Sequence, residues 1–398
     1  MRNGLQVMDC DRHVLEPRDI WDKYLDPSFK HYIGSVIPRP GRFVGPGGRP
    51  ADQPQHQTYE GDPYWRGAFK NAVRQFFDNR SYLQDMDREG VDVGVLFSTA
   101  GLSFPWYEDA SLDLVAAQCC AYNDWLYDYC SIAPDRMLGM AIIPLRDTEA
   151  AKKELRRAVG ELGMAGVFWR PNAHFGRRIS DPSYEPIFAL AQELNVPIGC
   201  HEGNTGYVSP VRGGGSDGRG FKWFGSARLD TAFSNHAARH PTEQMGAFID
   251  VASEGVLDRF PDLRFAFLES GCGWLPYWLE RLDVMHDNPI FRESYRGKQR
   301  PSDYFRRGQC FVSCEAEEAE EGVPILGRLL GENFLMWASD YPHPDAVPYF
   351  PNTVGPIVDD QHLSLDFKRR ILWDNPRRFY GLDTQPRTET RVAASAGV

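Results

Sequence analysis

Four side chains able to bind a metal ion close apolar runs in this sequence. They are Asp11 and His13 in Met8-Asp9-Cys10-Asp11-Arg12-His13, His201 in Gly199-Cys200-His201-Glu202, and Asp340 in Trp337-Ala338-Ser339-Asp340. Asp11 and His13 are two residues apart, so on an extended strand they face the same side. Carboxylate and imidazole converging from separate strand ends offer N and O donors to one divalent cation. Three or four protein ligands with one open position is the pattern of a catalytic rather than a structural site. Glu269 closes another run, in Phe267-Leu268-Glu269-Ser270. It is a candidate proton donor, because burial among Phe267, Leu268 and Trp274 would raise its pKa. His236 and His240 are four apart and so share a helix face; either is a candidate general base. Arg170, in Trp169-Arg170-Pro171, has the geometry to clamp a substrate carboxylate. Taken singly, such residues more often cap helices, lie on solvated faces or hold rim salt bridges. Their joint placement at strand ends points to a site.

The elements that would position these residues are short apolar runs separated by helical stretches. The runs are Leu5 to Cys10, Val91 to Ser98, Met137 to Pro144, Ala165 to Trp169, Val196 to Cys200, Arg264 to Leu268, Gln309 to Cys314 and Phe334 to Ala338. They do not alternate apolar with polar, as expected of parallel strands covered on both faces. Amphipathic helices are predicted over Thr148 to Leu162, opening on an imperfect capping box, and over Pro182 to Leu194 and Glu318 to Leu330. Eight strands with intervening helices predict a (β/α)₈ TIM barrel, whose active-site residues stand at the strand C-terminal ends. A doubly wound sheet is the competitor, disfavoured because no GxGxxG follows the first strand. One barrel domain is expected over residues 1–382. Inserted loops fall at about 39–65 and 206–228, where Pro and Gly cluster, and a disordered tail is expected over 383–398.

Composition narrows the partners. The formal net charge is -11, from 55 acidic and 44 basic residues, which disfavours nucleic acid or an anionic membrane as partner. No apolar run reaches the roughly 18 residues of a transmembrane helix, and no signal-peptide apolar region follows the N-terminus. The 8 Cys show no CxxC spacing, and several lie in the strand-like runs. A cytoplasmic, disulfide-free protein is expected.

The motifs in order carry a resemblance. Asp11-x-His13-x-x-Glu16-Pro17, the His after strand five, Leu268-Glu269-Ser270-Gly271-Cys272-Gly273-Trp274-Leu275-Pro276, Ser339-Asp340-Tyr341-Pro342-His343 and Ile371 to Tyr380 resemble the amidohydrolase-related family. The branch is that of aminocarboxymuconate-semialdehyde decarboxylase and the aromatic-acid decarboxylases. The resemblance implies one divalent metal ion on Asp11, His13, His201 and Asp340. It would be Zn²⁺ first, with Mn²⁺ as competitor because Asp11 stands where several members have His and hardens the site. No Lys ends strand four, where binuclear relatives carry a carboxylated Lys, so one metal is expected. Glu269 stands where the named decarboxylase has a catalytic His, so the acid/base inventory differs. Glu16 is a candidate weak ligand or support for one.

The implied reaction is non-oxidative decarboxylation of an aromatic or unsaturated carboxylic acid. The alternative is hydrolysis of an amide, lactone or related bond, with Asp340 taking a proton from water. A third reading, a metal-free binding protein, is opposed by the four ligand-type residues. The implied partner is a small carboxylic acid or amide, and the chain is expected to form a homo-oligomer, a dimer.

Overall fold

The computed structural model describes residues 1–37, 67–107, 110–201, 232–318 and 322–383. The loops expected at 39–65 and 206–228, and all of the expected tail except Asp383, lie outside the described residues.

Each of the eight apolar runs overlaps a strand. These are β1 (Met8–Val14), β2 (Val93–Ser98), β3 (Met137–Ala141), β4 (Gly166–Trp169), β5 (Ile198–His201), β6 (Phe265–Leu268), β7 (Cys310–Cys314) and β8 (Leu335–Trp337). Six of the runs contain their strand whole, while β1 and β5 run past the predicted ends. Neighbours in sequence pair in parallel, in the order β1 to β8. Two backbone hydrogen bonds bring the ends of this sheet together: Asp340 N–H to the Asp11 carbonyl (3.2 Å) and His13 N–H to the Tyr341 carbonyl (2.6 Å). The architecture is the (β/α)₈ barrel. Among strand residues only Val93 is not fully buried. Such burial on both faces explains the missing alternation. β1 runs past Cys10 to Val14, and its register with β2 slips between Asp9 and Arg12. Irregularities of this kind re-aim side chains at barrel rims, and this one carries Asp11, with His13 just past it in register with Phe97.

Local chemistry sets the helix boundaries. The helix Thr148–Gly160 is capped by Asp147, not by a Thr148 capping box: the Asp147 carboxylate accepts from the N–H groups of Glu149 (3.0 Å) and Ala150 (3.1 Å). Asp147→Ala is expected to lower stability by about 1 kcal/mol, the usual worth of such a cap, as a shift in the urea midpoint at unchanged slope. The second stretch opens as a 3₁₀ turn, Pro182–Tyr184, before the helix Glu185–Glu193. Of the third, Gly322–Leu330 is α-helical and Ala316–Glu318 forms a 3₁₀ turn that holds Glu318. Its carboxylate accepts from the backbone N–H of Cys272 (2.6 Å) and Gly273 (3.1 Å), anchoring the loop after β6. At the far end of the chain, Tyr380 donates its hydroxyl to the Cys10 carbonyl (2.6 Å) and Asn375 its amide to that of Leu335 (2.8 Å). The closing helix Asn375–Phe379 is thereby stitched to β1 and β8. All 8 Cys are free thiols. Among the described residues no helix is long and apolar enough to cross a membrane.

Candidate metal centre

Asp11, His13, His201 and Asp340 do converge. The His13 Nδ1–H is directed at the Ser98 carbonyl (3.2 Å), since a carbonyl only accepts. That leaves a lone pair on Nε2, the tautomer a metal ligand needs. His13 Nε2 lies 2.8 Å from His201 Nε2. Asp11 lies 3.6 Å from the first and 3.4 Å from the second, and Asp340 Oδ1 3.5 Å from His13 Nε2. All four side chains are at most 1% exposed.

The fit to a cation can be tested on the charges. Among the described residues Asp11 Oδ1 and both oxygens of Asp340 are buried with no well-aligned hydrogen-bond donor, His343 Nδ1 standing 3.0 Å from Asp340 Oδ1. Burial and neighbouring carboxylates push both carboxyl pKa values well above the ordinary carboxylate range: desolvation leads, followed by Asp340 for Asp11 and by Asp345 for Asp340. Burial, then the neighbouring His343 and His201, pushes the His13 pKa well down. Carboxylate oxygens so placed beside neutral imidazole lone pairs are costly as they stand and suit one divalent cation.

Supporting groups hold this arrangement. Glu16 fits the supporting role: it accepts from Ser98 Oγ (2.5 Å) and from the backbone N–H of Thr99 and Ala100 (3.1 and 2.9 Å). It fixes the segment whose carbonyl orients His13. Gln244 donates its amide to the carbonyls of Cys200 (2.8 Å) and Leu268 (3.0 Å), tying together the strand ends that carry His201 and Glu269. His343 stacks on His13, with centroids 3.9 Å apart. Its Nδ1 is 3.0 Å from Asp340 Oδ1, its Nε2 bonds Thr99 Oγ1 (3.0 Å), and burial lowers its pKa to about 4. Glu269 and Asp340 adopt φ of 49° and 54°, the left-handed region. Non-glycine residues pay to sit there, commonly at functional sites.

The other candidates separate. Glu269 Oε2 lies 3.3 Å from His201 Nε2. Desolvation, then the charges of Asp340, Asp345, Asp11 and Glu315, pushes its pKa well up. Burial was foreseen as the cause; the ring of carboxylates was not. His240 is buried, its Nδ1–H meeting the Glu269 carbonyl (3.0 Å), and burial lowers its pKa to about 3. His236 is half-exposed and pairs with Asp345 (2.9 Å), which raises its pKa. Arg170 is buried at the end of β4. Its guanidinium donates to the Leu102 carbonyl (2.9 Å) and Asn172 Oδ1 (3.0 Å) and lies 4.8 Å over Trp106.

Four groups were missed: His343, Gln244, Glu315 and Asp345. Glu315 directly follows β7, so the strand-end rule that selected His201 and Glu269 would have found it.

A (β/α)₈ barrel with two carboxylates and two imidazoles gathered at its strand ends defines the class of metal-dependent barrel enzymes. The chain belongs to the amidohydrolase family, whose model matches residues 8–382. It is 26% identical to a 2-amino-3-carboxymuconate-6-semialdehyde decarboxylase of Dictyostelium discoideum over 79% of this chain and 80% of that one. It is 29% identical to a gamma-resorcylate decarboxylase of Rhodococcus jostii over 55% of this chain and 64% of the relative. Among solved structures it resembles 5-carboxyvanillate decarboxylase of Novosphingobium aromaticivorans, complexed with manganese and 4-hydroxy-3-methoxy-5-nitrobenzoic acid. The TM-score is 0.65 at 20% identity, covering 96% of this chain and 97% of the other.

Proposed function

We propose that the protein is a metal-dependent non-oxidative decarboxylase of an aromatic or unsaturated carboxylic acid. The observation that carries this reading is Glu269, a carboxyl only 10% exposed and 3.3 Å from His201 in the candidate centre, whose pKa is pushed up by desolvation and by the carboxylates around it. Its relatives, decarboxylases named for aromatic or unsaturated acids, support it. Asp11, His13, His201 and Asp340 would hold one divalent ion, Zn²⁺ or, as in the manganese-bound neighbour, Mn²⁺. When bound, the ion supplies a Lewis acid and a template for the substrate carboxylate and an adjacent oxygen.

The chain's own residues do the rest. Glu269 gives its proton to the substrate carbon that bears the carboxylate. That carbon becomes tetrahedral, the C–C bond to the carboxylate breaks, CO₂ leaves, and the bonding pair restores the unsaturated system. Glu269 is left ionised and regains a proton from solvent. The raised pKa is what makes a carboxyl a usable acid near neutrality. Phe97 and Phe168, with rings 5.5 and 6.0 Å from that of His201, keep the floor of the site apolar. Arg170 is braced by Leu102 and Asn172, so it contributes a fixed positive charge on the β4 side rather than a mobile clamp.

Solvent labelling tests the chemistry. Turnover in D₂O is expected to place one deuterium on the carbon that lost CO₂, with no new hydroxyl or carboxylate in the product. Uptake of ¹⁸O from labelled water without CO₂ release would overturn the reading in favour of hydrolysis. Glu269→Gln is expected to abolish turnover at unchanged metal content; an active variant would remove Glu269 from its role.

A further inference from the structure

Beside the four-residue centre lies a second group of metal-binding side chains that the reaction above does not use as ligands. His236 and His240 are four residues apart in the helix Ala232–Ser253, and their ring centroids are 4.3 Å apart. Two imidazoles at this spacing present their nitrogens on one helix face, an arrangement that binds metal elsewhere. One ligating atom from each of His236, His240 and Glu269 lies within 4.8 Å of the others.

Two further observations point to a cation there. First, His240 donates Nδ1–H to the Glu269 carbonyl (3.0 Å), which leaves the lone pair on Nε2. Among the described residues that Nε2, on a residue only 5% exposed, has no hydrogen-bond partner. Second, the two oxygens of Glu269 face different ways. Oε2 is 3.3 Å from His201, in the first centre, whereas Oε1 is on the His240 side, 3.9 Å from its Nδ1. Asp345 stands against His236 at 2.9 Å, and Glu315, Glu317 and Asp345 themselves offer oxygens within 4.8 Å of one another. Negative charge of this density beside two imidazoles favours a doubly charged ion.

We propose that His236, His240 and Glu269 form a second, weaker divalent-cation site, with the Glu269 carboxylate shared between it and the centre on Asp11, His13, His201 and Asp340. The site is weaker because His236 is half-exposed and already paired with Asp345. Filling it removes the proton donor, so excess metal inhibits; this consequence alone rests on the decarboxylase reading.

The test starts from protein loaded with one equivalent of Mn²⁺ and adds more, following heat and the electron paramagnetic resonance spectrum. Expected are a second binding event at least tenfold weaker than the first and, as it fills, exchange-coupled features from two ions joined by one carboxylate. His240→Gln keeps a side chain able to donate to the Glu269 carbonyl but loses the imidazole nitrogen. It is expected to keep the first equivalent and lose the second. His236→Ala, on the open side of the pair, is expected to weaken the second event at least tenfold without affecting folding. A first equivalent with no second event overturns this inference alone, as does a second event unchanged in both variants. Absence of the first equivalent overturns the metal-centre reading together with it.

Discussion

Asp340→Asn is expected to lower kcat by at least about 10²-fold, since losing a metal ligand should cost no less than losing an outer-shell support of one, while leaving the thermal midpoint nearly unchanged. The fold should survive because Asn is nearly isosteric and tolerates the left-handed conformation that Asp340 adopts, φ 54°. Activity should not survive, because the two Asp340 oxygens are the charge that suits a cation and an amide halves the donor set. His201→Ala removes an imidazole that faces His13 at 2.8 Å and is expected to lose metal more completely than Asp340→Asn does. Metal content by atomic spectrometry and single-turnover rates separate the two effects. Wild-type metal and rate in both variants would mean that the centre is misassigned.

Arg12→Met is expected to cost about 3–5 kcal/mol of stability, the usual penalty for stripping one partner from a buried ionic cluster. Arg12 is fully buried, bridging Asp9 (2.9 Å) and Glu89 (2.8 Å), and its guanidinium lies 4.4 Å from the Tyr341 ring centre. The cluster also ties β1 to the segment after β8: Asp9 Oδ1 accepts from the Ser339 N–H (3.0 Å), and Tyr341 N–H reaches Ser339 Oγ (3.0 Å). Without Arg12 two carboxylates remain in the core with their pKa values raised by desolvation and no guanidinium to offset it. Adding Asp9→Asn and Glu89→Gln to Arg12→Met should recover a large part of the loss, because the uncompensated charges go with them. Urea unfolding of the single and triple variants measures this. A loss below about 1 kcal/mol in Arg12→Met would show that the charges are solvated or rearranged rather than trapped.

Arg12 also shows where the sequence was opaque. It occupies the middle position of Asp11-x-His13, and a motif written with an x conceals the residue that points the other way along a strand. The strands were legible because β-barrel staves are buried on both faces and leave uninterrupted apolar runs; even β8, with only Leu335–Trp337, was found within Phe334 to Ala338. Helix starts were less so. Thr148 looked like a cap, but Asp147 accepts the two N–H bonds, and Glu318 looked like a helix start but sits in a 3₁₀ turn, its carboxylate on the loop after β6. At the site, residues on strand ends were legible and those arriving from helices only partly. His240 was a candidate, but nothing in its spacing told that it would be buried and His236 half-exposed. Gln244, one helical turn further on, carries no chemical signature, since bracing two carbonyls is a role that any amide could play.

The left-handed backbone at Glu269 and Asp340 bears on any attempt to make this enzyme heat-tolerant. Glycine would relieve conformational cost of order 1 kcal/mol at either position. A search that scores variants by melting temperature alone would therefore be drawn to the two positions proposed here as proton donor and metal ligand. Stabilising substitutions at functional positions are commonly bought with activity. Here φ values of 49° and 54° mark in advance which residues such a screen must hold fixed.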